Sequence, residues 1–184
     1  MRKLIAAMNM TLDGYCDHTS MTADDELHEH YNDLLRGADT LIYGRTTFQL
    51  MESYWPSVVE NPTGDKPTDE FAVLIDDISK IVYSHSLQSV DWKNSELKHE
   101  IDKEEILDLR RRPGKNIVVG SPSLIVALGN LHLIDEYQLG VQPTVVGRGL
   151  QLFKNVDERI DLTLVKTKTF ESGAVFFYLA PKKI

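Results

Sequence analysis

The apolar positions of this chain switch between short continuous runs and stretches with helical spacing. Residues 3–8 form the first run, which predicts a buried strand that leads into the turn Leu12-Asp13-Gly14. Residues 24–36 place apolar side chains at helical spacing, which predicts an amphipathic helix. Residues 40–43 then predict a second buried strand, and residues 45–51 predict the start of a second helix. The chain therefore opens in the order strand, helix, strand, helix.

The same alternation continues to the end of the chain. It predicts further strands at residues 80–83, 116–119 and 136–141, and helices at residues 69–78, 102–112 and 123–131. Two last strands at residues 162–169 and 174–179 flank a Glu-Ser-Gly turn, which predicts a closing antiparallel hairpin. Because helices alternate with strands, we expect an α/β fold with three αβα layers around a mixed, mainly parallel sheet. No repeat or linker divides the sequence, so residues 1–184 are expected to form a single domain.

Composition and charge exclude several classes of protein. The chain has 42% hydrophobic and 26% charged residues, as a folded globular protein does and a disordered or fibrous one does not. Its 20 Lys and Arg against 28 Asp and Glu give a net charge of −8. That surplus argues against nucleic acid as a partner, because binding to a phosphate backbone needs clustered basic residues. No apolar run approaches the roughly 20 residues that span a bilayer, so no membrane segment is predicted.

The amino-terminal residues and the cysteine content indicate the compartment. The apolar stretch at the start of the chain is short and lacks a small-residue cleavage site, so a secretory signal is not predicted. Cys16 is the single cysteine and has no partner for a disulfide, which fits a reducing compartment. We therefore expect a cytoplasmic protein.

Two predicted strands end in a glycine that leads directly into a helix. The segments are Gly44-Arg45-Thr46-Thr47 and Gly120-Ser121-Pro122-Ser123. The first N–H groups of a helix lack partners within it and lie at its positive end, so either start would suit a phosphate group. Neither segment matches a Gly-x-Gly-x-x-Gly or Walker motif. The alternative is that each glycine only permits a tight turn, although Arg45 favours the phosphate interpretation at the first start.

Other chemical groups in the sequence indicate less. Asp13 follows the first strand, where its carboxyl would relay a proton or simply complete an Asp-Gly turn. His28, Glu29 and His30 do not share one helix face, so no metal site is predicted. No serine lies in a Gly-x-Ser-x-Gly elbow, and Cys16 lacks a motif that identifies a partner base. Covalent hydrolysis is therefore not predicted.

The order of these motifs resembles the dihydrofolate reductase-like fold, and within it the branch that contains the riboflavin-biosynthesis reductase domain (the RibD C-terminal domain). The resemblance covers nearly the whole chain and rests on Leu4-Ile5-Ala6-Ala7 with Leu12-Asp13-Gly14, Leu41-Ile42-Tyr43-Gly44-Arg45-Thr46-Thr47-Phe48, Val82-Tyr83-Ser84, Val118-Val119-Gly120-Ser121, and Leu133-Ile134-Asp135-Glu136-Tyr137 through Pro143 to Gly147. It implies an NADPH-dependent reductase of a small heterocyclic substrate, most similar to a 5-amino-6-(5-phosphoribosylamino)uracil reductase. It also implies a homodimer, for which Val175-Phe176-Phe177 would offer apolar surface.

The resemblance also implies roles for individual residues. The Ala7 backbone would lie at the nicotinamide, and Tyr83 and Ser84 would lie near the adenosine 2′-phosphate. The other implied cofactor contacts are Gly44, Arg45, Thr46, Thr47, Gly120, Ser121, Ser123 and Leu124. Because the cofactor supplies the hydride, few catalytic side chains are expected. Asp13 is the candidate proton donor or substrate contact, while Tyr31, Tyr54 and Trp55 would line the substrate pocket or complete the core.

The sequence departs from true dihydrofolate reductases, which resemble one another in a Trp-x-x-Pro segment before a helix with a pterin-binding carboxylate. Residues 22–28 lack the tryptophan and the proline, and Glu26 is the one carboxylate that matches by position. A dihydrofolate or pterin reductase is therefore the alternative to the riboflavin type. With one cysteine, the chain is expected to correspond to the reductase half of the bifunctional riboflavin enzyme, without its zinc deaminase domain. Two further alternatives are a non-catalytic NADP-binding protein and an interaction domain whose glycine turns are purely structural.

Overall fold

The structure is a computed structural model that describes residues 1–16 and 24–182. It has an α/β fold in which the strands of the described residues form one mixed, eight-stranded sheet. The α/β class and the mixed, mainly parallel sheet are thus confirmed. The chain packs as two compact units, one built on residues 1–2 and 24–118 and the other on the described residues of 3–23 and 119–184. That the whole chain forms a single domain stays a prediction.

Strands and helices alternate along the chain. In chain order they are β1 (Leu4–Thr11), α1 (Asp25–Arg36), β2 (Ala38–Gly44), α2 (Arg45–Glu52), α3 (Trp55–Glu60), α4 (Lys66–Asp77), β3 (Ser79–Tyr83), β4 (Ser95–Lys98), α5 (Lys103–Arg111), β5 (Asn116–Val119), α6 (Pro122–Asn130), β6 (Glu136–Gln142), β7 (Leu162–Thr169) and β8 (Val175–Pro181). None of the helices described is both long and apolar enough to cross a membrane.

Among the described helices, α1, α4 and α5 begin at an aspartate that caps them. The carboxylates of Asp24, Asp65 and Asp102 accept hydrogen bonds from N–H groups in the first turn of the helix that each precedes. The acceptor oxygens lie 2.8 to 3.0 Å from the nearest of these nitrogens, which belong to Leu27, Thr68 and Glu104. Because a cap satisfies N–H groups that the helix itself cannot, the local sequence fixes where these helices begin.

In the first unit, β2, β3 and β4 pair in parallel in the order β4-β3-β2. Leu41, Ile42 and Val82 are at most 1% exposed and form part of the core of this unit. Gly44 is paired with Tyr83, and Tyr83 is paired with Lys98. The carboxyl ends of the three strands therefore lie side by side.

In the second unit, β1 pairs in parallel with β6, and the hairpin of β7 and β8 adds to β6 in antiparallel pairing. This confirms the closing hairpin. Gly140 of β6 lies beneath the ring of Phe176, which would be 2.4 Å from a Cβ at that position. Phe176 is fully buried, whereas its neighbours Val175 and Phe177 are half-buried. Only the two neighbours remain available for an apolar surface, because successive residues of a strand point to opposite faces of the sheet.

Two elements were not predicted from the sequence, and one begins earlier than expected. Helix α3 has only six residues, and strand β4 has four residues of polar or half-buried character. Neither is long enough to give a periodic pattern. Helix α4 begins at Lys66 rather than at Asp69, because Asp65 caps it and Pro67 is accepted in its first turn.

Candidate cofactor-binding segments and the family of the chain

Helices α2 and α6 each follow a strand and begin without a side-chain cap, as the six-residue α3 also does after α2. Gly44 is the N-cap of α2, with φ −83° and ψ 164°, and Ser121 is the N-cap of α6. Within the described residues no side chain caps either helix, and neither has an acidic residue in its first turn. The capped helices α1, α4 and α5 all carry Asp or Glu in their first turn. An anion at the start of α2 or α6 would therefore meet the positive end of a helix and no competing carboxylate.

In the first unit, the pairing of Gly44 with Tyr83 brings two of the predicted cofactor segments to the same sheet edge. Arg45 and Thr46 are exposed and Thr47 is half-buried. Arg45 makes no ion pair with another described residue. Its guanidinium is therefore available to an anionic ligand.

Tyr83 and Ser84 are both 7% exposed, and their polar groups are not equally available. The Tyr83 hydroxyl is buried without a partner among the described residues, and burial raises its pKa to about 12. The Ser84 hydroxyl accepts the N–H groups of Ser86 at 3.2 Å and Leu87 at 3.1 Å, so it shapes its own loop. The exposed residues of this loop are His85 and Ser86, which the sequence prediction omitted.

In the second unit, the predicted contacts around α6 differ in exposure. Ser121 and Leu124 are buried, whereas Ser123 is exposed and Gly120 is half-buried. Ala7 is buried within β1, paired with Gln138 of β6. That the Ala7 backbone contacts the nicotinamide stays a prediction.

The Asp13 side chain is held by hydrogen bonds from three residues of its own unit. Its carboxylate accepts the hydroxyl of Thr11 at 2.6 Å and the N–H groups of Gly147 at 2.7 Å and Val146 at 3.2 Å. The hydrogen bond from Thr11, and then those from the two backbone groups, lower the pKa of Asp13 below its ordinary value despite some desolvation. An ionised carboxylate that already accepts three hydrogen bonds is well suited to join two loops and poorly suited to release a proton. This geometry favours the turn interpretation of Asp13 over the proton-donor one.

Two polar side chains that the sequence prediction missed lie towards the carboxyl ends of β1 and β6. Asn9 of β1 is paired with Gly140, and Gln142 of β6 is paired with Thr11. The oxygen Oδ1 of Asn9 and the nitrogen Nε2 of Gln142 are buried without a hydrogen-bond partner in the described part of the chain. Since an unpaired buried polar atom costs about 1–3 kcal/mol, such atoms are candidates for ligand contact. The available signal was a polar residue at the end of an otherwise apolar run.

The three aromatic residues predicted near a substrate are not equivalent. The Trp55 ring lies 4.5 Å from the ring of Phe71 and 5.0 Å from that of Tyr54. Tyr54 is 50% exposed, so the pair presents an aromatic surface where α3 begins. Tyr31 is half-buried on α1, with its ring 5.4 Å from that of His30.

The His-Glu-His segment of α1 is divided among different neighbours. His28 lies 3.5 Å from the hydroxyl of Thr68, Glu29 forms an ion pair with Arg36 at 3.1 Å, and His30 is 6% exposed. Residues 1–16 and 24–182 contain no group of three or more His, Cys, Asp or Glu side chains that could hold a metal ion.

Comparison with known proteins identifies the family of this fold. The family model for the RibD C-terminal domain matches residues 2–176. The chain belongs to the RibD C-terminal domain family. This RibD C-terminal domain is 35% identical over 178 residues to Uncharacterized protein YyaP of Bacillus subtilis (strain 168), a match that covers 95% of this chain and 92% of that protein.

Two solved structures have the same fold. One is a diaminohydroxyphosphoribosylaminopyrimidine deaminase/5-amino-6-(5-phosphoribosylamino)uracil reductase from Thermotoga maritima, with a TM-score of 0.67 and 17% identity. The match covers 98% of this RibD C-terminal domain and 57% of that longer chain. The other is a dihydrofolate reductase from Enterococcus faecalis complexed with NADP(H), with a TM-score of 0.65, 15% identity, and coverage of 98% of this chain and 97% of that one. The dihydrofolate reductase-like fold is therefore confirmed, and both neighbours are reductases.

Proposed function

We propose that this RibD C-terminal domain is an NADPH-dependent reductase of a small heterocyclic substrate, most similar to 5-amino-6-(5-phosphoribosylamino)uracil. The observation that carries this proposal is the pair of helices, α2 and α6, that begin after a strand with no side-chain cap and no acidic residue in the first turn. Helices α1, α4 and α5 each have a side-chain cap and an acidic residue in the first turn, whereas the short α3, which follows a helix, has neither. The absence of both features leaves the N–H groups at the starts of α2 and α6 available to a phosphate, with no carboxylate beside them to repel it.

The residues present fit the phosphate groups of NADPH. In the first unit, the backbone N–H groups at the start of α2, the guanidinium of Arg45 and the hydroxyl of Thr46 would bind phosphate oxygens. The exposed Ser86 would add a donor beside Tyr83 and Ser84. In the second unit, the start of α6 would bind phosphate through backbone N–H groups and the exposed hydroxyl of Ser123.

When bound, NADPH would supply a hydride from its nicotinamide ring, and the protein would orient the two reactants. The unpaired Asn9 oxygen and Gln142 nitrogen offer one buried acceptor and one buried donor. Such a pair matches a carboxamide or the edge of a pyrimidine ring, which presents both kinds of group. Burial of these groups would also favour a specific orientation, because a misplaced ligand would leave them unpaired.

Asp13 enters the proposal as a substrate contact. Its ionised carboxylate would accept a hydrogen bond from the substrate with a lone pair that Thr11, Val146 and Gly147 do not use. In the first unit, taken by itself, the partly exposed pair of Tyr54 and Trp55 offers an aromatic surface of the kind on which a flat ring stacks.

A non-catalytic NADP-binding protein is the second candidate. It is favoured by the three hydrogen bonds that hold Asp13 as a carboxylate, since they leave the predicted proton donor poorly suited to that role. Tight NADPH binding with no oxidation across a panel of uracil, pterin and dihydrofolate substrates would support it. Oxidation with one of these substrates would support the reductase and identify its type.

We also propose that the chain is a homodimer. In the second unit, β7 pairs with β8 on one side, and its Leu164 and Val165 are 54% and 64% exposed. An edge strand with exposed apolar residues is prone to association with another chain. Light scattering of the wild type and of Val165→Lys would test this, with a dimer expected for the first and a monomer for the second.

The cofactor assignment is tested by fluorescence titration with NADPH and NADH. Removal of one charged contact to phosphate costs about 1.5–3 kcal/mol, so Arg45→Ala should weaken NADPH binding by roughly tenfold or more. Arg111→Ala is the matched control, because Arg111 is also an exposed arginine of the first unit but lies at the end of α5. No NADPH binding by the wild type would overturn the assignment, and equal binding by both variants would remove Arg45 from the site.

A further inference from the structure

The second unit contains a cavity that lies away from the strand ends described above. It has a volume of about 430 Å³ and is bounded by the residues where α6 ends, β6 begins and β8 ends. Its lining is mainly apolar, with Ile134, Ile160, Ala180 and Pro181, and it also includes the polar residues His132, Asp135 and Lys182. Because β6 begins here and ends at Gln142, the cavity lies at the opposite end of that strand from Asn9, Gln142 and Asp13. Nothing in the proposed reductase function uses it.

Tyr137 contributes a hydroxyl to the lining of this cavity. The side chain is 2% exposed, and the hydroxyl forms no hydrogen bond with any of the residues described. Burial raises its pKa to about 12, so it is a neutral phenol that can both donate and accept a hydrogen bond. The hydroxyl oxygen is not one of the fully buried, unpartnered polar atoms of the described residues, so it is open to a hydrogen bond from a ligand in the cavity.

Gly129 provides the space around this hydroxyl. A Cβ at residue 129 would lie 2.9 Å from the Tyr137 hydroxyl and 3.4 Å from Ile160. A glycine inside a helix costs about 1 kcal/mol relative to alanine, and Gly129 lies within α6. The cavity is therefore kept open at a residue where local helix propensity favours a side chain.

The cavity continues into a smaller one that is acidic. The second volume is about 180 Å³, shares Gly129, His132 and Ile160 with the first, and adds Asp157 and Glu158. Both acids are exposed, and neither forms an ion pair with another described residue. Asn130 holds their loop against the end of α6 through the N–H group of Asp157 at 3.2 Å. The larger cavity is lined by Asp135 and Lys182, whose formal charges are opposite, so the surplus of negative charge comes from the two carboxylates of the smaller cavity.

We propose that this double cavity binds a small aromatic cation. A ring of one or two fused cycles would lie between the apolar walls, with a ring N–H or carbonyl hydrogen-bonded to the Tyr137 hydroxyl. Its ammonium group would lie in the acidic part, near Asp157 and Glu158. The volume is within the range of small-molecule sites, and the mainly apolar lining with a few polar groups is typical of them. The uncompensated carboxylates select the sign of the charge.

The test uses three ligands that share one ring and differ in charge. They are tryptamine, which is a cation at neutral pH, its neutral analogue tryptophol, and the anion indole-3-propionate. Calorimetric titration should show tryptamine binding several-fold more tightly than tryptophol and more tightly still than indole-3-propionate. Tyr137→Phe should weaken tryptamine binding by roughly two- to tenfold, because it removes one hydrogen bond and little volume. The double variant Asp157→Asn, Glu158→Gln should abolish the difference between tryptamine and tryptophol.

Two controls keep the result interpretable. Asp108→Asn removes an exposed carboxylate of the first unit and should leave tryptamine binding unchanged. Gly129→Ala fills the cavity without removing the hydroxyl, so it should weaken binding even if Tyr137→Phe folds poorly. The proposal is overturned if none of the three ligands binds, if indole-3-propionate binds as well as tryptamine, or if neither Tyr137→Phe nor Gly129→Ala weakens binding. NADPH titration of the same proteins is a separate readout, so failure of one proposal does not affect the other.

Discussion

Gly44 at the end of β2 is paired with Tyr83 at the end of β3. These residues are 39 positions apart in the sequence, and each is followed by a segment with exposed polar residues. Their pairing brings the start of α2 and the Ser84 loop to one edge of the first unit. The start of α2, which suits an anion, therefore has the hydroxyls of the Ser84 loop on the same edge as further hydrogen-bond donors.

A carboxylate in the first turn of α2 should separate helix stability from cofactor binding. Thr46→Asp should maintain or raise the melting temperature, because an acid near a helix start stabilises it by about 0.3–1 kcal/mol. The same charge should repel a phosphate, so NADPH binding should fall at least tenfold. Thr46→Asn is the matched neutral control and should bind NADPH much more tightly than Thr46→Asp. Equal affinities of the two variants would show that no phosphate lies at this helix start.

Substitution of Asp13 should distinguish a loop contact from a proton donor. We expect Asp13→Asn to lower the melting temperature, because an amide offers one acceptor oxygen where the carboxylate receives three hydrogen bonds. If a turning-over substrate is found, the loop role predicts a raised KM with a modest change in kcat. A proton donor would instead lose at least a hundredfold in kcat, with an altered pH profile and an unchanged melting temperature. Because the pKa of Asp13 is lowered in the folded chain, its stabilising effect should persist at neutral pH and be lost as the pH falls through that value.

The buried Lys80 should make stability depend on pH in the alkaline range. Its ammonium donates to the carbonyls of Ile78 at 2.9 Å and Asp76 at 3.0 Å, but burial lowers its pKa from 10.5 to about 8. Between these values the unfolded chain binds more protons than the folded one, so the free energy of unfolding should rise with pH. The rise between pH 7.5 and 9.5 should be about 2 kcal/mol from this group.

Urea unfolding at several pH values checks this, with Lys80→Met as the comparison. The rise should disappear in Lys80→Met, whatever the loss of stability from the unpaired carbonyls of Asp76, Ile78 and Lys93, the last of which also accepts from Lys80 at 3.2 Å. If the free energy of unfolding of Lys80→Met rises with pH as much as that of the wild type, the rise does not come from Lys80. Above about pH 10, the raised pKa of buried Tyr83 acts in the opposite direction, since the folded chain then retains a proton that the unfolded chain has lost.

A methyl group at Gly140 should disrupt the core of the second unit. A Cβ there would lie 2.4 Å from the Phe176 ring and 2.5 Å from Oδ1 of Asn9. Gly140→Ala should therefore reduce the free energy of unfolding by about 2–3 kcal/mol, as overpacked cores do. Phe176→Leu in the same chain should recover part of this loss if the ring is its cause. Gly37→Ala is the control, with its nearest contacts at an ordinary 3.4 Å, and should change stability by less than about 1 kcal/mol.

The local sequence accounts for much of the fold because its signals act over a few residues. The apolar run at residues 116–119 and the alternating segment at 162–169 predicted β5 and β7 with the observed bounds. The helix predicted at residues 102–112 begins as expected, because its cap Asp102 and the N–H groups that this cap satisfies are adjacent in the chain. The resemblance in the order of the motifs likewise predicted the family. Short elements such as β4 gave no such signal, since a four-residue strand depends on the hydrogen bonds that β3 offers it.

The sequence by itself determined the alternation of strands and helices and the two segments in which a strand leads through a glycine into a helix without an acidic first turn. Only the tertiary structure decided what surrounds individual side chains. It joined Asp13 to Gly147, which are 134 positions apart, and it buried Asn9 and Gln142 without partners. It also placed the Tyr137 hydroxyl beside Gly129, in a cavity that no motif indicates. Periodicity and capping depend on residues within a turn or two, whereas the pairing or isolation of a buried polar atom depends on which distant segments the sheet brings together.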